Sequence, residues 1–488
     1  MSFEEENRSA ICAYFAQGAK GNQPCEKLGV EVEHFVVDAA TLKAVPYEGE
    51  KVAIRRAYEG ATKGTSAGVS EDAAESASEG TTKGTSAGVS EDAAEGASRA
   101  ISEGTSESAS EATSEAAFGV RDILLYLSEF YPREMRGLEG DLIGLANEEA
   151  SLTLEPAAQL EISIAPYCAI ADIVRVYTEF RGRIDSFLRQ HKAKLVTLGY
   201  HPIEKAHDLS LIPKKRYHFM NDYFHALGTH GERMMRASAS TQVSIDYRDE
   251  ADAIRKMRVA QALVPLIAAF TDNVVRFEGE TPKPLSRLAM WRDVDNARCG
   301  QVPGLFEVGF GFEQYASWLL RSCPIFVTRP SSENPQGPAL RDVAGITASQ
   351  AYADAPMSQD DIEHLLSMFW PDVRLKQFVE IRPADALPLQ AMAGYAALIK
   401  GIFYSEESLA RVEDAFGVVG DRWQLDDTYT DTAAESIRTL GWKAKVGNLS
   451  LAEWREFLFD QAKNTLTQDE QGYLENFEKW IAQNSRLS

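Results

Sequence analysis

Alternation of apolar and polar positions marks the first strand, Lys27–Asp38 (KLGVEVEHFVVD), which is rich in valine. An apolar helical pattern follows at Val120–Tyr131, and Ser151–Ile164 (SLTLEPAAQLEISI) alternates again as a second strand. Helical spacing over Ile170–Leu198, a strand at Thr241–Tyr247 and a long helix over Asp249–Phe277 continue the chain. A fourth alternating run, Val373–Arg382 (VRLKQFVEIR), precedes a helical remainder, Leu387–Ala482, with Trp442, Trp454 and Trp480 at core-like spacing. Long parallel βαβ units are too few for a doubly wound fold, so the pattern predicts an α+β body with a mostly antiparallel sheet.

One stretch breaks the pattern. Residues 59–78 (EGATKGTSAGVSEDAAESAS) and 79–98 (EGTTKGTSAGVSEDAAEGAS) are a tandem duplication differing at two positions, and a degenerate Ser/Glu/Ala stretch runs on to Ala117. Each unit offers one valine, Val69 or Val89, and no aromatic residue occurs between Tyr58 and Phe118. Such a segment cannot build a core by stacking, so residues 59–117 read as a disordered insert within a domain that spans residues 1–488. Residues 387–488 read as a helical layer of that same domain.

Charge changes the picture in one respect. The 488 residues carry 50 Lys+Arg against 73 Asp+Glu, a formal net charge of −23, of which the insert holds twelve acidic and three basic residues. The body is therefore only moderately acidic, and no basic surface at domain scale suits nucleic acid. The N-terminal MSFEEENRSAICAYFAQGAK lacks the basic start and apolar run of a signal peptide. The longest apolar stretch, Val259–Phe270, includes Gln261 and falls short of the roughly 20 residues that span a bilayer. Five scattered cysteines (Cys12, Cys25, Cys168, Cys299, Cys323) without a CxxC pair fit reduced thiols, so a cytoplasmic chain without membrane or nucleic-acid partners is expected, as a monomer or homodimer.

Within a strand, residues i and i+2 share a face. Glu31 and Glu33 share one, as do Gln159 and Glu161, then Gln242, Ser244 and Asp246, and finally Lys376, Phe378, Glu380 and Arg382. An ordinary solvent-facing sheet mixes Lys, Thr and Ser with Glu; here carboxylates and amides dominate, the hard oxygen donors that suit Mg²⁺. Carboxylates gathered from separate strands repel unless cations lie between them, so a metal site accounts for the clustering. Cationic groups appear nearby: Lys214, Lys215 and Arg216 in a loop, PKKRY, then Arg236, and then Arg287 and Arg298 flanking Trp291 and Asp295 in RLAMWRDVDNARCG. Arginine's planar fork captures carboxylate or phosphate, which points to a Mg²⁺-dependent enzyme acting on an anionic small molecule.

GVEVEHF, LEPAAQLEIS, PKKRY, MMRASASTQVSIDY, the W-x-D-x-D-x-x-R-x-G pattern at Trp291–Gly300, GFGFEQY and VRLKQFVEIRPAD occur in the order seen in plant-type and related bacterial glutamate-cysteine ligases. The resemblance spans Gly29–Tyr404 apart from the insert. It implies a glutamine-synthetase-like carboxylate-amine ligase fold, a curved antiparallel sheet forming a funnel for ATP, Mg²⁺ and glutamate. The implied reaction phosphorylates the γ-carboxylate of glutamate with ATP and then joins it to the amine of cysteine, the first step of glutathione-type thiol synthesis. By the same resemblance Glu31, Glu33, Glu161 and Glu380 are metal-binding carboxylates, with Gln242 beside the metals. Arg382 is a phosphate or transition-state clamp acting with Glu380; Arg216, Arg236, Thr241, Arg287, Trp291 and Arg298 are substrate or nucleotide contacts. Ser244 stands where the plant pattern has Asn, and Arg236 sits one place earlier relative to Gln242 than the plant-type arginine.

Two other readings keep parts of this picture. A related ligase would activate glutamate and use a different amine, and a non-catalytic protein of ligase ancestry would use the acidic insert as an interaction module but predicts a broken metal set. If the insert is a passive loop, deletion of Gly60–Ala116 leaves activity near that of the full chain, because long surface insertions cost little. Steady-state turnover and a melting curve of the deletion variant check this: lost activity with an intact melt would show that the segment works in catalysis or assembly.

Overall fold

The computed structural model describes residues 3–24, 26–49, 118–137, 140–329, 339–343 and 345–487. The insert at 59–117, and with it the expectation of disorder there, lies outside the described residues.

Nine strands form the main sheet: β1 (Leu28–Asp38), β2 (Arg133–Arg136), β3 (Leu142–Ala146), β4 (Ala150–Leu154), β5 (Leu160–Tyr167), β6 (Ala193–Val196), β7 (Thr241–Ile245), β8 (Val373–Leu375) and β9 (Val379–Ile381). Their order is β8-β9-β7-β1-β5-β4-β3-β2, with β6 pairing the far end of β1, and every pairing is antiparallel. The α+β architecture with a large antiparallel sheet is the one the patterning predicts. Strand β1 is central because its eleven residues serve three partners: Leu28–His34 pair with β5, Leu28–Val32 with β7 and Phe35–Asp38 with β6.

The apolar halves of the alternating strands make one side of the core. Val30, Val32, Leu160, Ile162, Val243, Ile245, Val379 and Ile381 are all fully buried. The helices Ile170–Gln190, Glu250–Phe270 and Leu389–Phe403 pack against this side. Leu389–Phe403 is apolar almost all round, and Leu451–Lys463 and Gln468–Asn484 close on its outer surface. That approach requires two glycines: a Cβ on Gly394 would lie 2.3 Å from Phe477 Cβ, and one on Gly401 2.7 Å from Ala462 Cα.

Four expectations are corrected. Ser151–Ile164 is a hairpin rather than one strand, because Pro156 cannot donate to a ladder and Ala158 turns the chain at φ 63°. Val373–Arg382 is also a hairpin, with Lys376 N donating to the Phe378 carbonyl at 2.9 Å across the turn. The PKKRY run is not a surface loop: Lys214 is the N-cap of the helix Lys215–Leu227, and both Lys214 and Arg216 are buried. The helix expected over Ile170–Leu198 ends at Gln190, and Ala193–Val196 turns back as β6.

Overpacking a helix interface forces side chains and backbone apart at a cost of about 1–3 kcal/mol. Gly394→Ala therefore lowers stability by that order, read as the shift of the urea unfolding midpoint at unchanged slope. A midpoint within error of wild type would mean that the two helices separate freely.

Candidate active site

On the opposite face of the same sheet the polar halves of the strands line up row by row. Thr153, Glu161 and Glu33 are direct cross-strand neighbours in one row, and Ser151, Ser163, Glu31 and Gln242 in the next. Ser244 lies opposite Glu380, and Glu380 opposite Arg374. Like charges placed directly opposite across antiparallel strands are destabilising, and Glu33 faces Glu161 in just that way.

Local donors hold these groups. Glu33 accepts from Ser240 N and Ser240 Oγ, each at 2.8 Å, and from Gln242 Nε2 at 3.2 Å. Glu161 accepts from Thr153 Oγ1 at 2.9 Å and Ser163 Oγ at 3.1 Å. Arg382 bridges two rows, donating to Gln242 Oε1 and, at 2.9 Å, to Glu380 Oε2. Glu380 is fully buried and takes a two-pronged contact from Arg374, 2.7 Å from Nε to Oε2 and 3.1 Å from Nη2 to Oε1, with Lys376 Nζ at 3.7 Å. Burial opposes its ionisation, but the charges of Arg374, Lys376 and Arg382 outweigh that cost and hold its carboxyl well below the usual carboxylate range.

This face floors a cavity of about 1110 Å³, open mouth included, that Glu31, Glu33, Glu161, Gln242, Arg374 and Arg382 line. The helices Lys215–Leu227 and Gly231–Ala237 contribute Arg216, Tyr217, Met220, Met234 and Met235; Met135 and Ile143 come from β2 and β3. Arg287 and Trp291 enter from the helix Ser286–Trp291, and Trp370 from the segment before β8. Arg287 is buried and pushed below its ordinary value by that burial, with Asp385 and Glu33 partly restoring it. Its Nη1 lies 3.4 Å from the Pro383 and Ala384 carbonyls, while its Nε and the Trp291 indole Nε1 are buried donors without a hydrogen-bond partner among the described residues. Both residues line the cavity, and a cationic guanidinium beside buried unmatched donors suits an anionic ligand. A second cavity of about 910 Å³, lined by Lys20, Lys27, Ser244, Asp246 and Phe378, shares Glu31 and Ser163 with the first.

Of the twelve residues given site roles by the resemblance, Glu31, Glu33, Glu161, Gln242, Arg216, Arg287, Trp291 and Arg382 come together around the first cavity, which Gln159 and Lys214 also line. Four do not. Glu380 is enclosed behind Arg374 and Arg382, so it orients those arginines instead of facing the cavity as a ligand. Thr241 points to the core side of β7, where its Oγ1 accepts from Leu387 N at 3.0 Å, because one residue's step from Gln242 reverses the face. Arg236 turns outward to the Leu209 carbonyl (2.9 Å) and Asn221 Oδ1 (2.5 Å). Arg298 is consumed structurally, donating to Asp295 and the Cys323 carbonyl with its guanidinium 4.5 Å from the Tyr223 ring centroid.

Two groups escaped the sequence reading, and a third was read for a different role. Arg374 is brought opposite Glu380 only by the β8–β9 hairpin. Ser240 precedes Gln242 by two residues, so the same-face rule reaches it once the strand's approach is known. The Gln159 amide, grouped in the sequence with Glu161, instead ties the β4–β5 turn down: Nε2 donates to the Arg236 and Ser238 carbonyls at 3.1 and 3.2 Å, and Oε1 accepts from Ala157 N at 2.8 Å.

The donor set matches a hard divalent cation in kind: carboxylate oxygens of Glu31, Glu33 and Glu161 share one face with the Gln242 amide, whose Oε1 also accepts from Arg382. Among the described residues no three acidic, imidazole or thiol groups converge into a closed cage. Mg²⁺ keeps several waters and is commonly shared between one or two carboxylates and substrate phosphates, so an open set of this kind fits it.

Comparison with known proteins gives a consistent picture. The family described as glutamate-cysteine ligase family 2 matches residues 27–483. Glutamate-cysteine ligase B, chloroplastic, from Oryza sativa subsp. japonica is 33% identical over 304 residues, 60% of this chain and 60% of that one. The chloroplastic enzyme of Nicotiana tabacum is 34% identical over 280 residues, 57% of this chain and 53% of that one. The chain thus spans about three fifths or less of the length of these curated relatives. Among solved structures, the complex between the prokaryotic ubiquitin-like protein Pup and its ligase PafA aligns at 9% identity with a TM-score of 0.33, covering 94% of this chain and 64% of that one.

Replacing Glu380 by Gln removes the anion shared by three cations and leaves them facing one another in a buried site, a cost of about 3–5 kcal/mol at neutral pH. The sign of the pH effect follows from its lowered pKa. The folded protein favours the ionised carboxylate, so the stabilisation is complete above the usual carboxylate range and is lost as pH falls toward the folded value. Chemical denaturation of Glu380→Gln against wild type is therefore expected to show a gap that closes on acidification; a pH-independent gap would contradict the ion-pair account.

Proposed function

The chain belongs to glutamate-cysteine ligase family 2, and from that premise we propose that it joins the γ-carboxyl of L-glutamate to the amine of L-cysteine at the expense of ATP. The observation that carries this reading is the row of oxygen donors on one sheet face, Glu33 against Glu161 and Glu31 against Gln242, with Arg382 at its edge and the unmatched donors of Arg287 and Trp291 above.

In the proposed reaction a γ-carboxylate oxygen of glutamate attacks the terminal phosphorus of ATP, the bond to the ADP oxygen breaks, and a γ-glutamyl phosphate forms. The cysteine amine then attacks the acyl carbon, phosphate leaves, and the nitrogen gives up a proton. Phosphoryl transfer of this kind needs positioning and charge neutralisation more than covalent help from the protein. Glu31, Glu33, Glu161 and Gln242 would hold Mg²⁺, which neutralises phosphate charge. Arg382, fixed on two sides by Glu380 and Gln242, presents its guanidinium where the transferred group passes. Arg287 and Trp291 line the cavity and would contact the amino-acid substrate, the Arg287 guanidinium matching a carboxylate. The second cavity suits the nucleotide: Phe378 lines it, and Lys27 and Lys20 bring positive charge, the latter shared with Asp246 at 3.6 Å, next to the shared Glu31. The thioethers of Met135, Met220, Met234 and Met235 give the remaining wall a soft apolar character that accommodates a thiol side chain.

Purified protein with Mg²⁺ and L-glutamate is expected to release ADP on addition of L-cysteine more than with other amines, and mass spectrometry is expected to find γ-glutamylcysteine. Stronger stimulation by another amine would keep the fold and metal face but replace the acceptor, and absence of turnover with every amine would overturn the ligase reading. Glu33→Ala and Glu161→Ala are each expected to lower ADP release at least a hundredfold with the fold retained, since each removes an oxygen donor from the metal face. Near-wild-type turnover in either variant would remove that residue from the site.

A further inference from the structure

Arg486 lies just past the helix Gln468–Asn484, far along the chain from any strand of the sheet, and its guanidinium donates through Nη2 to Asp272 Oδ1. Asp272 follows the helix Glu250–Phe270 and is buried. Its other oxygen, Oδ2, accepts from Leu285 N at 3.0 Å. Leu285 has φ 56°, in the left-handed region that disfavours a residue with a Cβ, and it is the N-cap of the short helix Ser286–Trp291. That helix carries Arg287 and Trp291, which line the cavity and whose Nε and Nε1 are buried without a hydrogen-bond partner among the described residues.

A second link runs in parallel. Asn273 N, one residue on from Asp272, donates to Asp385 Oδ2 at 2.7 Å, and Asp385 Oδ1 lies 4.0 Å from Arg287 Nη1. Two buried carboxylates thus stand behind the helix start, and the cations facing them are Arg486 on Asp272 and Arg287 on Asp385. Backbone N–H groups of Leu285 and Val274 also face Asp272, and Arg287 itself faces Glu33, Asp372 and Arg382.

We propose that Arg486 is a positioning residue for the cavity: by pairing with Asp272 it holds the strained start of the Ser286–Trp291 helix and leaves Asp385 free to pair with Arg287, so that Arg287 and Trp291 point at the substrate. This rests on the reading of that wall as the amino-acid-binding side of the ligase site. Without the Arg486 charge, the two carboxylates share one cation, protonation extends to higher pH, and Asp272 loosens its hold on Leu285 N.

Burial raises both carboxyls above the ordinary range, Asp385 to about 7 with the charge of Asp272 adding to the rise. Such groups favour the protonated folded state, so their contribution to stability is complete below the unfolded value of about 4 and is lost as pH rises through the folded value. Removing Arg486 deepens that loss. In Arg486→Gln the melting-temperature deficit against wild type is expected to widen from about pH 5.5 to about pH 8, whereas Arg486→Lys restores most of it. The KM for glutamate rises about tenfold or more while kcat changes less, as befits a misplaced binding wall. In protein labelled with fluorotryptophan, the fluorine resonance assigned through Trp291→Phe is expected to shift in Arg486→Gln and to return toward wild type in Arg486→Lys. A pH-independent deficit together with an unmoved Trp291 resonance would overturn the proposal, and neither readout depends on turnover. If the wild type fails to use glutamate while the Trp291 resonance and the pH-dependent deficit behave as expected, the ligase reading falls and the Arg486 linkage to this wall stands.

Discussion

Bringing carboxylates side by side on one face of a sheet costs free energy, and the arrangement around Glu33 and Glu161 is built to meet that cost. The two lie directly opposite across β1 and β5, where like charges repel. Hydroxyls and amides meet the repulsion locally, from Ser240 and Gln242 on one glutamate and from Thr153 and Ser163 on the other. These donors come from four strands or strand approaches, so the site exists only while the order β9-β7-β1-β5-β4 holds. The valines and leucines on the reverse of the same strands fix that order, because a one-residue slip would turn every carboxylate into the core.

Glu380 solves a different problem. Its carboxylate is fully buried among Arg374, Lys376 and Arg382, and it aims two of these guanidinium groups toward the cavity without facing the cavity itself. Arg382 is further fixed by Gln242, so the cationic edge of the site is rigid and the carboxylate floor is next to it. A site in which cations and carboxylates are each held by their own partners avoids collapsing into internal salt bridges, which would consume the charges a phosphorylated substrate must meet. The same logic extends behind the wall, where Asp272 and Asp385 anchor the helix that carries Arg287 and Trp291.

Much of this was legible in the chain because strand periodicity is strict. The i, i+2 rule placed Glu31 with Glu33 on one side and Val30 with Val32 on the other, and it found Gln242 and Glu161 in the same way. It failed where a strand was a hairpin. Read as one strand, Val373–Arg382 set Lys376, Phe378, Glu380 and Arg382 on one face; the turn at Lys376–Phe378 instead folds Arg374 onto Glu380. Thr241, a contact by resemblance alone, runs against the rule, since the neighbour of a cavity residue in a strand faces the core. Arg236 and Arg298 could not be judged from composition at all. Whether an arginine meets a ligand or the carbonyl of a distant loop depends on what lies above it, and Leu209, Asn221 and Cys323 are separated from them by turns that no periodicity encodes.

Alternation of side chains along the strands, the order of the motifs and the charge balance determined by themselves the α+β class, the oxygen-donor face and eight of the residues that line the cavity, because each is a local property of the chain. Tertiary structure alone decided which arginines meet the cavity and which are spent in the fold, that Glu380 acts behind the wall, and that Arg486 reaches Asp272 across more than two hundred residues. Those outcomes depend on long-range approach, on burial and on the competition of each charged group for partners. None of these is written in the spacing of residues along a single strand or helix.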